Sequence, residues 1–171
     1  MTMKKQYDAI LIGAGQANNA LSRAFAEDGW KTALIESKHI GGTCINEGCT
    51  PTKTMIASGR VAHLIQRAAD YGIQTGSIKV DLQKVRQRKR DIVASFRNGA
   101  QNRLENTGGL DLYMGLARFT GPKTVEVSLN DGSEKLYLTA EKIFINTGQS
   151  PRIPELPGLD SVPYLDSTSI M

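Results

Sequence analysis

Two cysteines, Cys44 and Cys49, lie five positions apart inside the glycine-rich segment Gly41-Gly42-Thr43-Cys44-Ile45-Asn46-Glu47-Gly48-Cys49-Thr50-Pro51-Thr52-Lys53. The amino terminus, Met1-Thr2-Met3-Lys4-Lys5, carries positive charge, but the apolar run after it is too short for export and leads into glycines. The chain therefore reads as cytoplasmic, where a cysteine pair is more useful for redox or metal chemistry than as a structural staple. There is no Cys-x2-Cys pair, and His39 and His63 lack zinc-ligand spacing, which weakens the metal reading. On an ideal helix, residues five apart differ by about 140° in direction and sit more than a turn apart. A disulfide needs Cα atoms within about 7 Å, so bridging this pair requires distorted backbone between them. Gly48 just before Cys49, and Pro51 just after, supply the freedom for that distortion. A bridge held in such a geometry is easily reduced, as a cycling catalyst requires.

The second chemical signal is Gly13-Ala14-Gly15-Gln16-Ala17-Asn18. Glycines at the first and third places allow a tight turn and close approach of a pyrophosphate, which then meets the free N–H groups of a helix start. Glu36 follows at the distance expected of the acid that takes hydrogen bonds from an adenosine ribose. Asn18 stands where this fingerprint usually has glycine or alanine. Its larger side chain is expected to loosen the helix against its strand or to shift the helix start, weakening pyrophosphate binding.

Elements able to position these residues are legible in the apolar pattern. A buried strand is predicted over 7–12, a helix over 17–28 with Ala20, Leu21, Ala24 and Phe25 on one side, and a strand over 31–35. Strand, glycine turn, helix and strand form a βαβ unit with parallel strands. A helix is predicted over 51–71, with Pro51 at its first position and Ile56, Val61, Leu64, Ile65 and Ala68 as its stripe. Asp81 caps a second long helix reaching about residue 106, striped by Leu82, Val85, Ile92, Phe96, Ala100 and Leu104. Lys84, Arg86, Arg88, Lys89 and Arg90 fall on its solvated side. Short strands follow at 110–114, 116–119, 124–128, 135–139 and 142–145, with a turn at Asn130-Asp131-Gly132. They form a small meander whose last strand returns to the main sheet. Trp30 and Tyr7 read as packing residues.

At 171 residues the chain is long enough for one domain with a sizeable core, but too short for two nucleotide-binding domains. No apolar run approaches the roughly 18 to 20 residues of a membrane span. The net charge of +4 is too modest to nominate nucleic acid. The basic run over 84–90 lacks interleaved aromatics, so it too reads as a solvated helix face.

Taken together, the motifs carry a family resemblance. The segment GGTCINEGCTPTK resembles the redox-active disulfide segment of the flavin-dependent pyridine nucleotide-disulfide oxidoreductases, which include dihydrolipoamide dehydrogenase, glutathione reductase and mercuric reductase. Gly115-Leu116-Ala117-Arg118-Phe119 resembles their G-x-A-x-F strand, and Ile145-Asn146-Thr147-Gly148-Gln149-Ser150-Pro151 with Pro154 and Pro157-Gly158 resembles their (A)TG-x-x-P-x-x-P-x-x-PG segment. The Thr-Pro-Thr-Lys-Thr ending and the following helix look most like mercuric-reductase-like members.

The resemblance implies an α/β, Rossmann-like FAD-binding domain with a parallel sheet, long helices and a small antiparallel β-meander over 1–150. The disulfide segment lies at 41–53, and a proline-rich connector over 151–171 leads toward a missing NAD(P)-binding domain. Cys44 would be the interchange thiol, Cys49 the thiol beside the flavin, and Lys53 a positive charge near the flavin's reactive edge. Gly13 and Gly15 would hold the pyrophosphate and Glu36 the adenosine ribose, with Gln16, Ala17 and Ser37 also among the cofactor-binding residues. Gly42 and Thr43 would line the ribityl and phosphate region, Ala117 the adenine end, and Thr147 with Gly148 the flavin side, with Gly41, Cys44, Gly48, Cys49 and Lys53 also among the cofactor-binding residues.

Electrons would pass from NAD(P)H to FAD, to the disulfide, and then to a small-molecule disulfide or soft metal ion. Only one dinucleotide fingerprint is present, so the NAD(P) domain and the interface domain of a homodimeric enzyme are expected beyond Met171. The N-cap residues at 166–169, with almost no helix after them, fit a chain cut short. A non-catalytic flavin-binding or interaction module is the first rival reading, and a basic nucleic-acid-binding domain the remote one.

Overall fold

The computed structural model describes residues 4–171, so the reading of Met1 to Met3 lies outside it. The chain divides into two compact units. One comprises the residues up to Cys44 together with Arg97–Ser150, and the other comprises Ile45–Phe96 with Pro151–Met171.

The first unit is built on five strands whose sheet closes into a barrel: β1 (Lys4–Ile12), β2 (Thr32–Glu36), β3 (Leu110–Gly121), β4 (Thr124–Leu129) and β5 (Leu136–Ile145). β1 pairs in parallel with β2 on one side and β5 on the other, and β2 pairs in parallel with β3. Buried on both faces, Ala9 to Ile12 can be continuously apolar. Helix α1 (Gln16–Glu27) supplies the crossover between β1 and β2, so the βαβ unit stands as expected.

The meander differs from expectation in one respect: the strands expected at 110–114 and 116–119 are one strand, as are those at 135–139 and 142–145. Gly115 is not a break. It is the point where β3 changes partner, since Met114 pairs with Glu36 of β2 and Gly115 with Leu129 of β4. A side chain there would collide with the Ser128 carbonyl, because a Cβ would stand only 2.5 Å from it. β5 likewise pairs antiparallel with β4 and parallel with β1, returning the meander to the main sheet. The barrel core comprises Tyr7, Ile10, Ile12, Ala33, Ile35, Val125, Val127, Leu136, Leu138 and Ala140.

On α1 the buried face is Asn18, Ser22 and Ala26, not the stripe through Ala20 and Ala24, both of which are exposed. Trp30 stacks on Phe25 with ring centroids 4.8 Å apart. Tyr7 packs in the barrel, but its hydroxyl also bonds Asp111 and Tyr113 at 2.5 and 2.6 Å.

In the second unit, a short helix beginning in the first, α2 (Gly42–Asn46), is followed by α3 (Cys49–Gln66) and a 3₁₀ turn, Ala68–Tyr71. Pro51 is thus the third residue of α3 and not its first. Of the expected α3 stripe, Ala68 is buried and Ile65 half-buried, while Ile56, Val61 and Leu64 are exposed. Helix α4 (Leu82–Glu105), whose residues from Arg97 onward belong to the first unit, is capped as predicted, with the Asp81 carboxylate accepting from Lys84 N–H at 3.1 Å. Its buried line runs through Lys89, Val93, Ala100 and Leu104, while Leu82 and Phe96 are exposed. Lys89 therefore does not lie on the solvated side. Spacings of four and seven put it in the buried row, where burial lowers its pKa below the usual lysine value, reinforced by Arg90 and Arg86. No helix among the described residues is long and apolar enough to cross a membrane.

Candidate functional site

The βαβ crossover brings the glycine turn to the carboxyl end of β1. Gly13 has φ +89° and donates its N–H to Ile35 O at 2.7 Å, which ties the turn to β2. Its α-carbon faces the end of β5 so closely that a Cβ would fall 2.2 Å from Asn146 O. Gly15 is the N-cap of α1, with no side-chain cap and no acidic residue in the first turn. The first N–H groups of a helix have no partner within it. Here they form an unblocked positive terminus suited to an anion.

The 41–42 segment closes over this turn. Gly41 N–H donates to Ala14 O at 2.9 Å, and Gln16 Nε2 donates to Gly41 O at 3.1 Å. Gly42, at φ +60°, comes so near that a Cβ would stand 2.8 Å from Gly15 Cα. Glu36, the last residue of β2, accepts from Ala14 N–H through Oε2 and from Lys38 N–H through Oε1, both at 2.8 Å. Each oxygen keeps a lone pair for a further donor. Ser37 is exposed, and its carbonyl accepts from Asn130 Nδ2 at 3.1 Å. Thr147 and Gly148 are exposed just beyond β5. Together these features fit the adenosine and diphosphate part of FAD: a cradle that Cβ atoms would fill, a bare helix start and an acid beside it.

Asn18 overturns its expectation. It is 3% exposed, and its Nδ2 donates to Ile12 O at 3.2 Å. The polar side chain anchors α1 to β1 and does not loosen it, and α1 begins at Gln16, directly after the turn.

Other predicted residues lie elsewhere. Ala117 pairs with Val127 in the antiparallel part of β3 and packs against the barrel core. Thr43 is exposed on α2, which also carries half-buried Cys44. Cys49 is the first residue of α3 and exposed, and Lys53 is exposed on the same helical face. No disulfide joins the two cysteines. The helical phase considered from spacing does not join them, because the backbone leaves helical geometry at Gly48 (φ −125°, ψ −108°) between α2 and α3. Gly48 is half-buried at that break.

Residues 7–170 match the family model described as pyridine nucleotide-disulphide oxidoreductase. The chain belongs to this family. Among curated relatives, a mercuric reductase of Bacillus cereus is 37% identical over 96% of the chain and 25% of its own length. A dihydrolipoyl dehydrogenase of Bacillus subtilis (strain 168) is 33% identical over 92% of the chain and 34% of its length. Among solved structures, the Cu(II) complex of HOCl-induced flavoprotein disulfide reductase RclA from Escherichia coli matches with a TM-score of 0.78 at 34% identity. That match covers 97% of the chain and 34% of RclA. The chain thus spans a quarter to a third of the length of these relatives.

Two features escaped the sequence reading. Asn146 precedes Thr147-Gly148 where the motif has a small residue, and that polar departure was the available signal. The Lys5–Tyr7–Asp111–Tyr113 network joins β1 to β3 across more than a hundred residues, and no local pattern reports it.

Proposed function

We propose that this chain binds FAD through the β1–α1 turn and carries the dithiol of an NAD(P)H-dependent disulfide or mercuric-ion reductase. The mutual fit of Gly13, Gly15 and Gly42 around an uncapped helix start carries the reading. Family membership and the similarity to mercuric reductases support it. FAD, when bound, supplies two-electron transfer between a nicotinamide and the thiol pair.

The chain's own residues divide the remaining work. Gly15, Gln16 and Ala17 offer N–H groups to the pyrophosphate. Gly41, Gly42 and Thr43 border it, Glu36 and Ser37 take the ribose, and Thr147 and Gly148 lie toward the flavin. Lys53 provides positive charge near Cys49, one turn away on α3. With the dithiol formed, the Cys44 thiolate attacks one sulfur of a substrate disulfide, making a mixed disulfide and releasing one thiol. Cys49 then attacks Cys44, releases the second thiol and forms the Cys44–Cys49 bridge. That bridge takes up two electrons and two protons to return to the dithiol. The nicotinamide site, the homodimer and the choice of substrate belong to the longer protein.

The test is reconstitution with FAD followed by reduction. A yellow protein whose dithiol state shows long-wavelength absorption that Cys49→Ser abolishes supports the reading. A protein that stays colourless in excess FAD refutes it, and an unchanged spectrum in Cys49→Ser favours an inert flavin-binding module.

A further inference from the structure

Asn146 holds a position over the glycine turn that neither the fingerprint nor the redox segment assigns. Its N–H donates to Ile12 O at 2.8 Å, fixing its backbone at the carboxyl end of β1, beside Gly13. Its carboxamide lies across Gly15: a Cβ on Gly15 would stand 3.0 Å from Nδ2, 3.7 Å from Cγ and 3.8 Å from Oδ1. Gly15 also meets Gly42, so both a glycine and a carboxamide approach the N-cap of α1.

Three other polar side chains beside this turn are engaged. Gln16 Nε2 donates to Gly41 O and Asn18 Nδ2 to Ile12 O, while Glu36 is an acceptor of the wrong sign for a phosphate. The Asn146 carboxamide has no hydrogen-bond partner among the described residues. A carboxamide can donate two hydrogen bonds. A phosphate arriving at the N-terminus of α1 therefore meets main-chain donors and the uncommitted amide of Asn146.

We propose that Asn146 is a cofactor-positioning residue, whose side-chain amide donates to the pyrophosphate of FAD alongside the main-chain N–H groups of α1. The inference rests on the FAD reading above and adds to it a donor that the small residue of the family motif cannot supply. It also gives a function to the polar departure at this position.

The test is FAD affinity, by flavin fluorescence or calorimetry, for the wild-type chain, Asn146→Ala and Asn146→Asp. The thermal midpoint of each cofactor-free protein serves as a control for folding. A hydrogen bond to a charged group is worth about tenfold to a hundredfold in binding, so Asn146→Ala should weaken FAD by about that factor with an unchanged midpoint. Asn146→Asp keeps the shape but replaces the donor with a negative charge, and should bind more weakly still. If Asp binds FAD as well as or better than Ala, the side chain acts through packing and the inference falls. It falls equally if Ala binds as wild type does. A wild-type chain with no affinity for FAD would instead overturn the cofactor reading itself.

Discussion

The side-chain amide of Asn18 donates to the main-chain carbonyl of Ile12 at 3.2 Å, in a site where Asn18 is almost wholly buried. The same carbonyl accepts from Asn146 N–H at 2.8 Å, so one acceptor at the end of β1 holds both α1 and the chain leaving β5. Restoring the family's usual small residue should therefore destabilise the protein. Asn18→Gly loses a buried hydrogen bond and adds backbone freedom to a helix, and is expected to cost about 1 to 2 kcal/mol. Urea denaturation of the two proteins measures it. A more stable glycine variant would show that Asn18 strains the turn.

Gly42 and Gly132 separate two costs of replacing a glycine. Both have positive φ, but a Cβ on Gly42 would stand 2.8 Å from the Gly15 backbone, whereas Gly132 has nothing within 4 Å. Gly132→Ala should lose only the conformational penalty of about 1 kcal/mol. Gly42→Ala should lose about 2 kcal/mol more, because backbone cannot yield as a flexible side chain does. It should also bind FAD at least tenfold more weakly. Equal unfolding midpoints for the two variants would contradict the close approach.

What the sequence disclosed and what it hid divide along physical lines. The β1–α1–β2 unit was legible because a glycine turn, a helix start and an acid at a strand end are local signals. The Asp81 cap was legible for the same reason. Gly115 was misread as a break because its requirement is non-local: only the Ser128 carbonyl of β4 explains it. Lys89 falls off the stripe drawn through Ile92 and Phe96, although its spacing from Val93, Ala100 and Leu104 places it in the buried row. Asn18 was read by size, and the acceptor that suits it, Ile12 O, is a main-chain atom with no residue type to reveal it.

The thiols differ in access. Cys49 is exposed at the start of α3, while Cys44 is half-buried on α2. Brief iodoacetamide treatment of the reduced, cofactor-free chain should label Cys49 ahead of Cys44, as read by mass spectrometry of the peptides. Bound FAD, placed beside Cys49 by the proposed function, should then slow labelling at Cys49. Faster labelling at Cys44 in the cofactor-free protein would be inconsistent with these exposures.

The barrel also sets an alkaline limit on stability. Tyr7 is 4% exposed, and burial, followed by its hydrogen bonds to Asp111 and Tyr113, raises its pKa far above the usual tyrosine value. In the unfolded chain the phenol loses its proton near pH 10. Above that pH the unfolded state binds fewer protons than the folded state, so stability falls as pH rises. The contribution is fully present below about pH 10 and shrinks by about 1.4 kcal/mol for each further pH unit while folded Tyr7 stays protonated. Lys5 acts in the same direction at slightly higher pH, since its bond to Tyr113 raises its pKa. Tyr7→Phe removes the first contribution. It should be about 1 kcal/mol less stable at pH 7 through loss of the Asp111 bond, yet show a shallower decline between pH 10 and 11. Unfolding midpoints across that range decide the matter, and parallel declines in the two proteins would exclude Tyr7 as the source.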